Sequence, residues 1–142
     1  MRASVEELVP ARLAPGLRVL LVEDDAAVRE VAAGFLAGYG CVVTDCATGE
    51  QALAALEHEP AFDLLLTDIA LGAGLRGTDV AARAQRCHPG LAVLLVSGFS
   101  QELVDADQSA PLDWELLPKP YSRHELERAI SAALAAHATP AA

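Results

Sequence analysis

Positive charge is scarce in this chain of 142 residues, where ten lysines and arginines face 20 aspartates and glutamates for a net charge of −10. A field of that sign repels nucleic acid and anionic lipid, which argues against both as direct partners. Long apolar runs are also missing. None approaches the ~18 residues that a membrane helix needs, and residues 1–16 carry charges where a secretory signal would have its apolar stretch. Cysteine is sparse: Cys41, Cys46 and Cys87 stand in no metal-ligand spacing, with Cys41 and Cys46 at opposite ends of one expected strand. All three read as reduced cytosolic thiols. His58, His88, His124 and His137 are scattered with no cysteine at ligand spacing, so a zinc site is unsupported. What remains is strongly apolar, 53% against 21% charged, and suits one domain with a real core. A small, acidic, cytoplasmic single domain is expected.

Along the chain, residues 1–16 form an expected flexible lead-in, 17–137 the domain and 138–142 a tail. Aliphatic or β-branched runs predict strands over 17–22, 41–45, 62–67, 91–96 and 114–117. Helices are expected over 26–38, capped by Asp24 or Asp25; from Thr48 to residue 59, with Gln51 completing a capping box; and over 78–87, capped by Thr78. A short helix is expected near 101–106, and a last one runs from the Ser122–Glu125 capping box to residue 136. Strands alternating with helices predict an α/β fold: a parallel sheet with helices on both faces and right-handed crossovers.

Ligands of open α/β sheets bind beyond the carboxyl ends of the strands. There the first strand delivers Glu23, Asp24 and Asp25, the third Asp68, the fourth Ser97 and the fifth Lys119. A single acid at a strand end is ordinarily a helix cap, and Asp25 alone is read so. The group is different, because carboxylates ~4 Å apart repel by about 4 kcal/mol per pair at an effective dielectric near 20. Such a cluster needs a cation, or a proton on one acid. A hard divalent ion with oxygen ligands, Mg²⁺ first, is the economical answer. Lys119 is the only lysine of the chain and sits between Pro118 and Pro120. Its compact ammonium suits a phosphoryl oxygen better than a guanidinium fork would. Lys119–Pro120 is a candidate cis peptide.

Four short segments in this order and spacing resemble the receiver domain of two-component response regulators: LLVEDD (20–25), LLLTD (64–68), LLVSG (94–98) and LPKPY (117–121). The likeness spans about residues 18–135, and its style is that of receivers that stand alone or are attached to hybrid sensor kinases. It implies a flavodoxin-like, five-stranded sheet of order 2-1-3-4-5. By the same resemblance Asp68 is the phosphoacceptor, and Glu23 and Asp24 form the acidic pair for Mg²⁺ together with Asp68 and the backbone carbonyl of Ala70. Ser97 matches the hydroxyl residue that turns to the phosphoryl group, and Lys119 the family's lysine. The donor would be a sensor histidine kinase or a phosphotransfer protein, and the readout a change in binding of a downstream protein. Such a chain is regulatory rather than an enzyme, a monomer or weak dimer, and without an output domain.

The chain also departs from the family pattern. Gly72 stands where a proline is usual, and Gly77 arrives one residue late, so a longer and looser loop is expected after Asp68. Leu116 occupies the position of the usual switch aromatic, for which Tyr121 is not a direct substitute, and 99–113 departs from the typical fourth helix. Together these predict an unusual output face. Among rivals, Gly72–Gly77 fits GxGxxG, but three residues separate Gly72 from Asp68, so it is a chance match. A Mg²⁺ phosphatase or a topoisomerase–primase-type nuclease would need an Asp-x-Asp pair that neither Asp24 nor Asp68 has. A serine hydrolase lacks its elbow around Ser97. The remaining rival is a degenerate receiver that acts as a phosphorylation-independent interaction module.

Overall fold

In the computed structural model, residues 13–58, 61–72, 74–98 and 114–138 are described. The five strands are β1 (Arg18–Val22), β2 (Val42–Cys46), β3 (Leu64–Asp68), β4 (Ala92–Ser97) and β5 (Glu115–Pro118). The helices among the described residues are α1 (Ala26–Gly38), α2 (Gly49–His58), α3 (Gly77–Cys87) and α4 (Arg123–Ala138). All strand pairs are parallel, in the order β2-β1-β3-β4-β5. The α/β fold, the five-stranded sheet and its order are therefore as the sequence led one to expect. The expected helix at 101–106 lies outside the described residues.

Alternation within each strand builds two cores. Leu20, Val22, Leu65, Val93 and Leu95 face α2 and α3, where Ala52, Leu56, Val80 and Ala84 are buried. Val19, Leu21, Leu64, Leu66, Leu94 and Val96 face α1 and α4, meeting Leu36, Leu126 and Ile130. Both faces of the central strands are covered, which is why their sequences read as unbroken aliphatic runs. Cys41 and Cys46 divide between the two cores. Both are free and buried, and burial pushes their thiols up. Trp114 donates from its indole to Gln85 at 2.8 Å, and Gln85 donates to the Leu91 carbonyl, closing the lower end of α3. No described helix is long and apolar enough to cross a membrane.

The strands end later than their apolar runs. Asp68 and Ser97 are paired residues, opposite Val96 and Pro118, rather than the first loop positions. Ladder hydrogen bonds depend on the backbone and continue past the point where side chains turn polar. Asp25, of the two candidates, caps α1 by accepting from the Val28 N–H. Ser122 and Glu125 exchange both bonds of a capping box. Thr48 accepts from Gln51 N–H, while the Gln51 side chain reaches Ala47 instead of Thr48.

Thr78 does not cap α3. The helix begins one residue earlier at Gly77, and Asp79 accepts from the Arg76 N–H. Gly77 is drawn inward by its N–H bond to the Ile69 carbonyl at 2.8 Å. A Cβ there would lie 2.0 Å from the Asp68 carbonyl oxygen. The late glycine thus presses the start of α3 against the backbone of Asp68 itself.

Gly77→Ala is therefore expected to destabilise by about 3 kcal/mol or more, read as a lower urea midpoint. Gly34 lies inside α1 with nothing within 4 Å of an added Cβ. Gly34→Ala is expected to stabilise by about 0.5–1 kcal/mol through the chain entropy that glycine costs a helix.

Candidate functional site

Parallel pairing places all the strand-end polar residues on one edge. β1 leads into Glu23, Asp24 and Asp25; β3 and β4 finish in Asp68 and Ser97; β5 leads into Lys119. Glu23, Asp68 and Ser97 are buried, whereas Asp24 is exposed. One carboxylate oxygen from each of Glu23, Asp24 and Asp68 lies within 4.8 Å of the others.

Lys119 closes this cluster. Its ammonium donates to Asp68 Oδ2 at 2.8 Å and to Glu23 Oε1 at 2.9 Å. Its backbone N–H donates to the Ser97 carbonyl at 2.7 Å, so β4 sets where the lysine leaves the chain. The Lys119–Pro120 bond is cis. Burial alone would pull the lysine pKa down, but the bonds to Asp68 and Glu23 outweigh it and hold the ammonium charged well above its usual range. For Glu23 burial is the largest influence and raises its pKa, because Lys119 and the Asp25 N–H only partly offset it and Asp68 adds to it. Lys119 is shared between two acids and does not fully offset the burial of Glu23.

The donor set suits a hard cation. Three formal carboxylates against one ammonium leave two negative charges unbalanced, and every side-chain ligand atom is oxygen. Mg²⁺ or a similar ion prefers such ligands. Ala70 is exposed in the loop two residues beyond Asp68.

Gly72 has φ +72°, a conformation that proline cannot adopt, so the chain's departure at this position follows the backbone path. A Cβ on Gly72 would lie 3.2 Å from Asp24 Oδ2, which makes this glycine a neighbour of the exposed acid. A Cβ on Gly74 would lie 3.0 Å from Glu50 Oε2. A carboxylate is a poor companion for a phosphate cradle, in keeping with a chance GxGxxG. Leu116 packs toward the α2–α3 core and Tyr121 toward the α1–α4 core. They serve opposite faces of the sheet, so Tyr121 does not replace an aromatic at 116. The Tyr121 phenol is raised first by burial and then by Glu23 and Asp68, with Lys119 opposing, which places it in the field of the acids. The sequence had no signal for that, nor for Arg29, whose guanidinium donates to the Glu23 carbonyl at 2.7 Å.

Replacing Lys119 with methionine strips the counter-ion from two buried carboxylates and is expected to cost about 1–3 kcal/mol. A raised folded-state lysine pKa gives stability that is fully present below the ordinary lysine value and lost only as pH rises through the higher folded one. The wild-type contribution should therefore be flat from pH 6 to 9. Without the lysine the folded-state pKa of Glu23, already raised by burial, loses an influence that lowers it and rises further, so stability returns as pH falls. Urea unfolding should show the deficit largest near pH 7 and shrinking toward pH 4.

The family profile described as the response regulator receiver domain matches residues 19–131. The response regulator receiver protein CpdR of Brucella abortus is 35% identical over 119 residues, covering 84% of this chain and 98% of that protein. The DNA-binding transcriptional regulator NtrC of Salmonella typhimurium is also 35% identical, but the match covers 80% of this chain and only 24% of NtrC. Sensor kinase CckA of Brucella abortus matches at 29% over 76% of this chain and 11% of its own length. The likeness thus runs to receivers in several molecular settings and does not single one out. Among solved structures, a response regulator receiver protein from Sinorhizobium medicae superposes with a TM-score of 0.79 at 26% identity, covering 86% of this chain and 97% of that one. A CheY-like receiver domain protein from Methanospirillum hungatei gives 0.73 at 28%, covering 87% and 97%. With the sheet order, the acidic strand ends and the bridging lysine all in place, this chain belongs to the receiver-domain family of response regulators.

Proposed function

We propose that the chain is the phosphoacceptor of a two-component phosphorelay, with Asp68 taking a phosphoryl group from the phosphohistidine of a sensor histidine kinase or phosphotransfer protein. The observation that carries this reading is the bridge from Lys119 to Asp68 and Glu23 beside the exposed Asp24. An Asp68 carboxylate oxygen attacks phosphorus, the bond from phosphorus to the donor imidazole nitrogen breaks, and that nitrogen takes up a proton as it leaves. Glu23, Asp24, Asp68 and the Ala70 carbonyl would hold Mg²⁺, which when bound neutralises charge on the oxygens in transfer.

Lys119 supplies a second positive charge at the acceptor. The product is an acyl phosphate of about −2 charge at a buried position. Ser97, at the end of β4, would hydrogen-bond it and draw that strand end inward. Because the Ser97 carbonyl holds the Lys119 N–H, the shift would reach β5 and the start of α4 and change the surface offered to a partner protein. The chain promotes only its own phosphorylation and dephosphorylation, and its setting is the cytoplasm.

Incubation with Mg²⁺ and acetyl phosphate should add a single phosphoryl group by intact mass spectrometry. The gain should vanish in Asp68→Asn and in EDTA. No gain under conditions that modify a control receiver would overturn the proposal in favour of an interaction module that works without phosphorylation.

A further inference from the structure

The polar atoms of Glu23 are tied from several directions. Its N–H donates to the Cys46 carbonyl at 3.0 Å. Its Oε1 accepts from Lys119 at 2.9 Å and its Oε2 from the Asp25 N–H at 3.1 Å. The carbonyl oxygen, part of the peptide that joins Glu23 to Asp24, accepts from Arg29 at 2.7 Å. Arg29 stands in the first turns of α1 and reaches back across the cap, where its own N–H bonds the Asp25 carbonyl at 2.9 Å. Its Nε lies 3.4 Å from Asp45 Oδ2 on β2. One side chain therefore links α1, the end of β1 and the edge strand β2 around the peptide that precedes Asp24.

Asp24 is the exposed member of the acidic cluster, and the orientation of its preceding peptide helps set where its carboxylate points. We propose that Arg29 is a positioning residue for the cation site: by holding the Glu23–Asp24 peptide it keeps the Asp24 carboxylate turned toward Asp68. This inference rests on the Mg²⁺ reading of the site. Arg29 carries a positive charge close to the cluster, and charge alone would make it hinder a cation. Removing it should then tighten Mg²⁺ binding, whereas loss of positioning should weaken it. The two effects have opposite signs.

The test is calorimetric titration of the full chain with Mg²⁺ alone. Asp24→Asn should abolish or greatly weaken binding, which checks the site itself. Arg29→Met, with its fold verified by circular dichroism, should raise the Kd roughly tenfold, the scale of lost support behind a metal ligand. Arg29→Lys, which keeps a donor and the charge, should recover most of the affinity. The Arg29→Met deficit should persist in 0.5 M KCl, where long-range charge effects are screened. Should Arg29→Met fail to fold, Arg29→Gln serves: it removes the charge but keeps a donor, so charge alone predicts tighter binding and positioning does not. Binding by Arg29→Met equal to or tighter than wild type, with Asp24→Asn still disrupted, would overturn the role of Arg29 and leave the site standing. Failure of the unaltered chain to bind Mg²⁺ would overturn both.

Discussion

Three carboxylates crowd together at the carboxyl edge of the sheet, two of them bonded to one lysine, and much of the molecule is arranged so that they can stay there. Acids this close repel by about 4 kcal/mol per pair at 4 Å in a moderately polar medium. Lys119 offsets part of that by bonding Asp68 and Glu23 together. Its reach depends on β5 lying next to β4 and β4 next to β3, and on the Ser97 carbonyl that holds its backbone. A sheet order that placed β5 beyond the far edge, next to β2, would leave the acids without their counter-ion.

The backbone around Asp68 is as constrained as the side chains. Gly77 brings the start of α3 against the Asp68 carbonyl at a distance that no side chain tolerates. Gly72 turns through a positive φ beside Asp24. Gly72 thus lies beside the exposed acid, and at Gly77 only hydrogen on the α-carbon leaves the room. On the other side, Glu23 is held by bonds from β2, β5 and α1. The buried pair is therefore firmly supported, and Asp24 is the member of the cluster that meets solvent.

A site of this kind separates two tasks that one carboxylate could not perform together. Burial and the lysine bond keep Asp68 in a fixed direction in a medium where charge interactions are strong. Exposure of Asp24 leaves the third acid of the cluster open to solvent. The same edge carries Ser97, whose carbonyl holds the backbone of Lys119 just before α4.

The alternation of aliphatic strands with capped helices was legible in the sequence because it follows from local pattern and from burial of both sheet faces. The identity of the polar residues at the strand ends was legible for the same reason: Glu23 and Ser97 follow directly on an apolar run, and Asp24, Asp68 and Lys119 come one residue later. Strand ends and the α3 cap were misplaced by a residue or so, since ladder bonds and the inward pull on Gly77 are not written in side-chain polarity. Tertiary structure alone decided which acid is buried and which is open, that Arg29 grips the Glu23 carbonyl, and that Leu116 and Tyr121 serve opposite faces. Those outcomes depend on where separate segments meet once the sheet is assembled, and the spacing of residues along the chain carries no record of that meeting.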